Sequence, residues 1–206
     1  MTMTLVWTVL AFACGSLMFS YWLGRWARHN LNAVGDGNPG GLNLWKAAGY
    51  RWGIAGIILD FLKGYVLLFI LVKSENMLGN SMIPIALAPI VGHAFSPFLK
   101  GRGGKAIAVT FGVWSALSGF EISLALAVIL AILLGGFKLL NKGKPASSAA
   151  DGLQVVLGLL LVGWYLFIRD FGHAIIWIWL GNVLLMMYTH RKELRTCWEN
   201  FFNKST

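Results

Sequence analysis

Seven apolar runs constrain this chain more than anything else in it. They lie at Met3–Leu23, Trp52–Val72, Ser81–Leu99, Ala106–Gly119, Ile122–Leu140, Leu153–Ile168 and Phe171–Tyr188. A helix needs about 20 apolar residues to cross the bilayer core, and several runs approach that length. Charged residues are only 12% of the chain, against about 25% in a soluble domain. The expected fold is therefore an all-α integral membrane protein with seven transmembrane segments. The third run carries Pro84, Pro89 and Pro97 and the fourth is short, so both are expected to be irregular or partly re-entrant. Broken spans persist where the freed backbone lines a polar cavity.

Charge gives the orientation. Arg25, Arg28, Lys46 and Arg51 follow the first run, Lys100, Arg102 and Lys105 the third, and Lys138, Lys142 and Lys144 the fifth. Arg191, Lys192, Arg195 and Lys204 follow the seventh, and only Lys73 and Arg169 fall on the other side. Cations gather in cytoplasmic loops, so the amino terminus is expected outside and the carboxyl terminus in the cytoplasm. The first run has no preceding cation and is long, unlike a cleaved signal peptide. Cys14 and Cys197 fall in a span and in the tail, which suggests neither a disulfide nor a metal site. The net charge of +9 sits in juxtamembrane loops, where orientation and anionic headgroups explain it without nucleic acid. No loop is long enough to fold alone, so residues 1–206 read as one polytopic domain. Its chemistry must be assembled from loops and helix ends at the plasma membrane's cytoplasmic face.

The polar residues on that side fall into a few groups. Gly35-Asp36-Gly37-Asn38-Pro39-Gly40-Gly41-Leu42-Asn43-Leu44-Trp45-Lys46 is too rich in glycine for a helix before about Leu42. It can present N–H groups and Asn amides to a phosphate or hydroxyl. Asp60 and Lys63 lie three residues apart within the second run, on one helical face where they can pair. Charges inside a span usually face a water-filled cavity, although an ion pair that locks the bundle is the alternative. The stretch from Gly92 to Lys105 sets His93, Lys100, Arg102, Gly103, Gly104 and Lys105 between two runs. Close-approaching glycine N–H groups and cations describe a phosphate-binding loop at a membrane surface. No Lys-Ser or Lys-Thr follows the glycines, so it is not a Walker loop. Thr189-His190-Arg191-Lys192-Glu193 closes the last run, and Lys144-Pro145-Ala146-Ser147-Ser148 adds hydroxyls. Taken singly, each of these also reads as a turn or a basic flank.

Taken in order, these elements resemble the bacterial integral-membrane glycerol-3-phosphate acyltransferases that use acyl phosphate. That family's Ser-Gly-Asn-x-Gly-Ala-Thr-Asn-x-x-Arg motif aligns without a gap on Asp36 to Lys46. Its Asp-x-x-Lys-Gly element is matched by Asp60 to Gly64, and its Gly-His-x-Phe-Pro element is similar to Gly92–Phe95. Its Lys-Gly-Gly-Lys-Gly and Arg-His-Arg-x-Asn elements are similar to Arg102–Ala106 and Thr189–Glu193. Asp36 stands in place of Ser, Leu42 of Thr, Lys46 of Arg, Ala106 of Gly and Glu193 of Asn. A downstream Gly-x-Glu-x-Lys element has no counterpart. Asp36 and Glu193 add negative charge where an anion should sit, and Lys46 lacks the bidentate fork of Arg.

The resemblance implies transfer of an acyl group from acyl phosphate to the 1-hydroxyl of glycerol 3-phosphate. Lysophosphatidic acid and phosphate are then the products, in phospholipid synthesis. It implies that Lys63, Lys105 and the N–H groups at Gly103 and Gly104 hold the donor phosphate. Asp36, Asn38, Asn43, Lys46, Ser147 and Arg191 would border the acceptor. The hydroxyl proton would go to His190, to His93 or to the donor's own phosphate. No cofactor is implied, and the protein is expected to act as a monomer among membrane lipids. The changed first and last motifs leave open a repurposed relative that binds a lipid phosphate without turnover. A small anion transporter is the remaining class, against which stands the one-sided placement of polar sequence.

Overall fold

The computed structural model describes residues 2–74, 79–143 and 147–202. Helices account for most of the described residues, and no strand occurs among them. The helices are α1 Thr2–Ser16, α2 Phe19–Trp26, α3 Gly41–Ala48, α4 Tyr50–Lys73, α5 Met82–Ala94, α6 Ile107–Ser118, α7 Glu121–Leu140, α8 Ser148–Ile168, α9 His173–Thr189 and α10 Arg191–Phe202. Five stretches are long and apolar enough to cross a membrane: Thr2–Trp26, Tyr50–Lys73, Gly79–Leu99, Glu121–Leu140 and Ser148–Ile168. The apolar helices α6 and α9 are shorter, at 12 and 17 residues. Leu5, Leu124, Ile132, Leu139, Leu140, Trp164 and Phe167 are exposed around the outside. Such a surface suits lipid and would drive association in water.

The third run is irregular, as its prolines suggest, whereas the fourth forms a short but unbroken helix, α6. Pro89 lies inside α5, which stops at Ala94 and gives way to a short 3-10 turn at Pro97–Leu99. The sequence did not signal the break in the first run between α1 and α2. It has a use: the Leu17 carbonyl at the break accepts a hydrogen bond from the Lys63 ammonium. The turn from α3 into α4 passes through Gly49 at φ 90°, a region that other residues enter only at a cost.

Close backbone approach holds the helices together. α1 packs along α5, and α4 along α6. Gly15 on α1 lies against Pro89, and Gly92 on α5 against Phe12 and Ser16. In the second pair, Gly64 faces the Val109 carbonyl and Gly112 the Phe61 carbonyl. Lipid gives helices no hydrophobic reason to associate, so small residues that allow van der Waals contact take that part. Inside the bundle, Trp114 Nε1–H donates to Asn182 Oδ1 at 2.9 Å, and Asn182 Nδ2–H donates to Thr110 Oγ1 at 3.3 Å. This ties α6 to α9 through buried polar groups that satisfy one another.

Candidate active site

The loop before α3 is fastened by Asn43. Its Nδ2 donates to the Val34 carbonyl at 2.7 Å, to Asp36 Oδ1 at 2.8 Å and to the Asn38 carbonyl at 3.0 Å. Asp36 is thereby aimed across the site, where its Oδ2 accepts from Lys105 Nζ at 2.5 Å. Glu193 on α10 meets the same ammonium from the other side at 2.7 Å. Burial pushes the Asp36 carboxyl up, but the hydrogen bond and charge of Lys105, with Asn43 and Asn38, hold it below its ordinary value. Burial likewise works against the Lys105 ammonium, and the carboxylates of Asp36 and Glu193 hold its pKa above the ordinary value.

The glycine loop is built differently from the sequence-based expectation. The Gly103 N–H donates to the Ala94 carbonyl and the Gly104 N–H to the His93 carbonyl, both at 3.1 Å. Their amides are spent on closing the loop back onto α5, so in this conformation neither is presented to an anion. The absence of a side chain matters instead: the His93 ring lies where a Gly104 Cβ would be, and the His93 carbonyl where that of Gly103 would be. His93 is 4% exposed, and its Nδ1 has no hydrogen-bond partner among the described residues. The first intrahelical bond of α6 runs from the Thr110 N–H to the Ala106 carbonyl, so the amides entering the helix before it have no partner among the described residues.

Two cavities meet at Lys105. The first, of about 420 Å³, is mainly apolar: Leu42, Ile57, Phe61, Ile107 and Phe111 line it, with Asp60 and His93. Gly40 and Gly41 at the start of α3, and Ala106 at the start of α6, also border it. The second, of about 280 Å³, is the more polar of the two: Asp36, Asn43, Lys46, Asp151 and His190 border it with Ser148 and Gly152, alongside apolar Leu42, Ile107 and Val155. Asn38, Leu42, Lys105 and Ile107 belong to both. Lys46 has no ion-pair partner among the described residues and is therefore available to an anion.

The other expected residues divide. Lys63 pairs with Asp60 at 3.0 Å, with its side chain 1% exposed. Ser20 Oγ–H donates to Asp60 Oδ2 at 2.5 Å, so the pair is tied to α2 as well. Lys63 borders neither cavity, and only Asp60 does. His190 is 1% exposed, and its Nδ1 lies 3.0 Å from the Met186 carbonyl. A carbonyl can only accept, so Nδ1 carries the hydrogen and Nε2 keeps its lone pair. Burial lowers the His190 pKa, the Met186 bond opposes this, and the Lys105 charge adds to the lowering. Arg191 turns away: it donates to the Tyr188 carbonyl at 2.7 Å and covers the Tyr188 ring. Ser147 caps α8 through the Ala150 N–H, and Ser148 borders the polar cavity in its stead. Lys144, Pro145 and Ala146 lie outside the described residues. Asp151 and Gly152 were not anticipated; one turn into an apolar helix, they carry no motif of their own.

The model of the glycerol-3-phosphate acyltransferase family matches residues 5–200. Glycerol-3-phosphate acyltransferase 1 of Thermotoga maritima is 36% identical over 192 residues, spanning 90% of this chain and 93% of that protein. A glycerol-3-phosphate acyltransferase of Streptococcus pneumoniae is 31% identical over 193 residues, 93% of this chain and 88% of that one. The crystal structure of PlsY, an integral membrane glycerol 3-phosphate acyltransferase, in its glycerol 3-phosphate form has the same fold. Its TM-score is 0.82 at 24% identity, over 96% of this chain and 92% of that one.

Proposed function

The chain belongs to the glycerol-3-phosphate acyltransferase family, and from that premise we propose that it transfers an acyl group from acyl phosphate to the 1-hydroxyl of glycerol 3-phosphate. The observation that carries this reading is the pair of cavities joined at Lys105, one almost wholly apolar and the other lined in part by charged and amide side chains. An acyl chain fits the first between α4 and α6. Its phosphate then lies at Lys105 and at the free N–H groups entering α6, where a helix terminus favours an anion. Glycerol 3-phosphate occupies the second, with Lys46 and Lys105 as cations and Asn38 and His190 beside its hydroxyls. Asn43 acts on the loop and not on the substrate.

Acyl phosphate is an activated donor, so positioning and charge stabilisation are what the reaction needs. The 1-hydroxyl oxygen attacks the acyl carbon, the carbon–oxygen bond to phosphate breaks, and its electron pair leaves with inorganic phosphate. The hydroxyl proton passes to His190 Nε2 or to the departing phosphate. His93, which lines the apolar cavity, faces the donor. Asp60 and Lys63 hold α4 against α2 and against the break that precedes it, at the edge of that cavity. In the membrane, the polypeptide makes seven crossings with the amino terminus outside. The site then opens to the cytoplasmic face of the plasma membrane, and one 1–206 domain acts as a monomer.

The test is incubation of detergent-purified protein with palmitoyl phosphate and glycerol 3-phosphate, following phosphate release and lysophosphatidic acid formation. Product from the parent chain, lost in Lys105→Ala, is expected. A second reading, a lipid-phosphate binder without turnover, draws on the two carboxylates that occupy Lys105. Absence of product from well-folded protein would select it.

A further inference from the structure

Lys105 is the side chain on which both cavities depend, yet its charge is already taken. An ammonium has three N–H donors; Asp36 at 2.5 Å and Glu193 at 2.7 Å engage two of them. The two carboxylates come from separate parts of the chain, the loop before α3 and the helix α10. Each is built into place. Asn43 and the Asn38 N–H fix Oδ1 of Asp36, leaving Oδ2 for the lysine. Glu193 crosses α8 at Gly152, where an added Cβ would stand 2.6 Å from the Glu193 Cβ. The Glu193 side chain is 10% exposed, and its Oε2 is buried with no partner among the described residues. Its second oxygen therefore has nothing to hold it when the first is displaced.

We propose that Asp36 and Glu193 occupy, in the empty enzyme, the positions on Lys105 that substrate phosphate oxygens take, and so act as residues that set acceptor affinity. This rests on the acyltransferase reading and deepens it. A phosphate binds the ammonium with the same charge-assisted geometry as a carboxylate, and it must displace at least one of them. The displaced carboxylate then faces a like charge. Substrate binding therefore loosens the contacts that hold the pre-α3 loop and α10 to the 100–106 loop. Asp151 provides the internal comparison, because it borders the same cavity but makes no ion pair with Lys105.

The experiment measures inorganic phosphate binding by calorimetry on detergent-purified full chain, for the parent, Asp36→Ser, Glu193→Gln and Asp151→Asn. Both Lys105-directed variants should bind phosphate roughly tenfold more tightly, the factor that about 1.4 kcal/mol of relieved competition sets. In turnover, KM for glycerol 3-phosphate should fall by a similar factor while kcat does not rise. Unchanged or weaker binding in both variants, at a melting temperature close to that of the parent, overturns the proposal. Equal tightening in Asp151→Asn also overturns it, because general cavity charge would then suffice. Phosphate binding requires no turnover, so failure of the parent to make lysophosphatidic acid counts against the acyltransferase reading alone.

Discussion

The His93 ring rests on Gly104 in the space that a side chain at Gly104 would fill. The two residues come from opposite ends of the same loop, and the Gly104 N–H to His93 carbonyl bond closes it. Gly104→Ala is therefore expected to push the ring out of the apolar cavity. Overpacking of this kind costs about 1–3 kcal/mol, and kcat/KM should fall by more than the loss of folded protein explains. Parallel melting and initial-rate measurements check it; an alanine variant with parental kcat/KM would remove His93 from the donor site.

Ala106 is in the left-handed region at φ 59°, where the resemblance places a glycine. An L-residue there carries roughly 1–2 kcal/mol of strain, partly offset because glycine orders at a higher entropic cost. Ala106→Gly should raise the melting temperature modestly and leave activity intact. A lower melting temperature would mean that burial of the Ala106 methyl outweighs the strain.

The Asp36–Lys105 tie has a definite pH window. Asp36 has its folded pKa below the ordinary 3.8, so its contribution to stability is present above that value and is lost as pH falls through the lowered one. Lys105 has its folded pKa above the ordinary 10.5, so its contribution is present below that value and lost as pH rises through the raised one. The melting-temperature difference between parent and Asp36→Ser should therefore be flat across neutral pH and shrink below 3.8. A difference that varies between pH 6 and 8 would point to another group.

His190 titrates below the ordinary 6.5, chiefly because it is buried. It is neutral at pH 7, with Nε2 free to take a proton. The kcat/KM profile should fall only on the acid side, below that value, and His190→Gln should flatten the limb and lower the plateau by about 10²–10⁴-fold, the span of general-base contributions. A plateau preserved in the variant would assign the proton to the departing phosphate.

The helical membrane class was legible because it rests on runs of apolar residues, which no local contact can disguise. The Asp60–Lys63 pair was equally legible from its spacing. Residues whose role depends on direction were not. Arg191 and His190 are neighbours in one motif, yet one ring borders the polar cavity while the guanidinium lies on Tyr188. Ser147 and Ser148 differ by one step of a helix start, which turns one to a cap and the other to the cavity. The Gly103 and Gly104 amides looked available because a glycine-rich string does not say which carbonyls stand opposite. Asp151 escaped notice because the lysines whose charges it feels, Lys46 and Lys105, lie far away in sequence.

The border that the two cavities share is little more than Lys105 with Asn38, Leu42 and Ile107. On the proposed reading, that thinness makes the site a phase boundary. A hydrocarbon tail waits in oil while a sugar-derived phosphate waits in water, and neither enters the other's solvent for the bond to form. The product appears already oriented, headgroup wet and tail dry. It can leave by sliding sideways into the leaflet instead of climbing out through a pore.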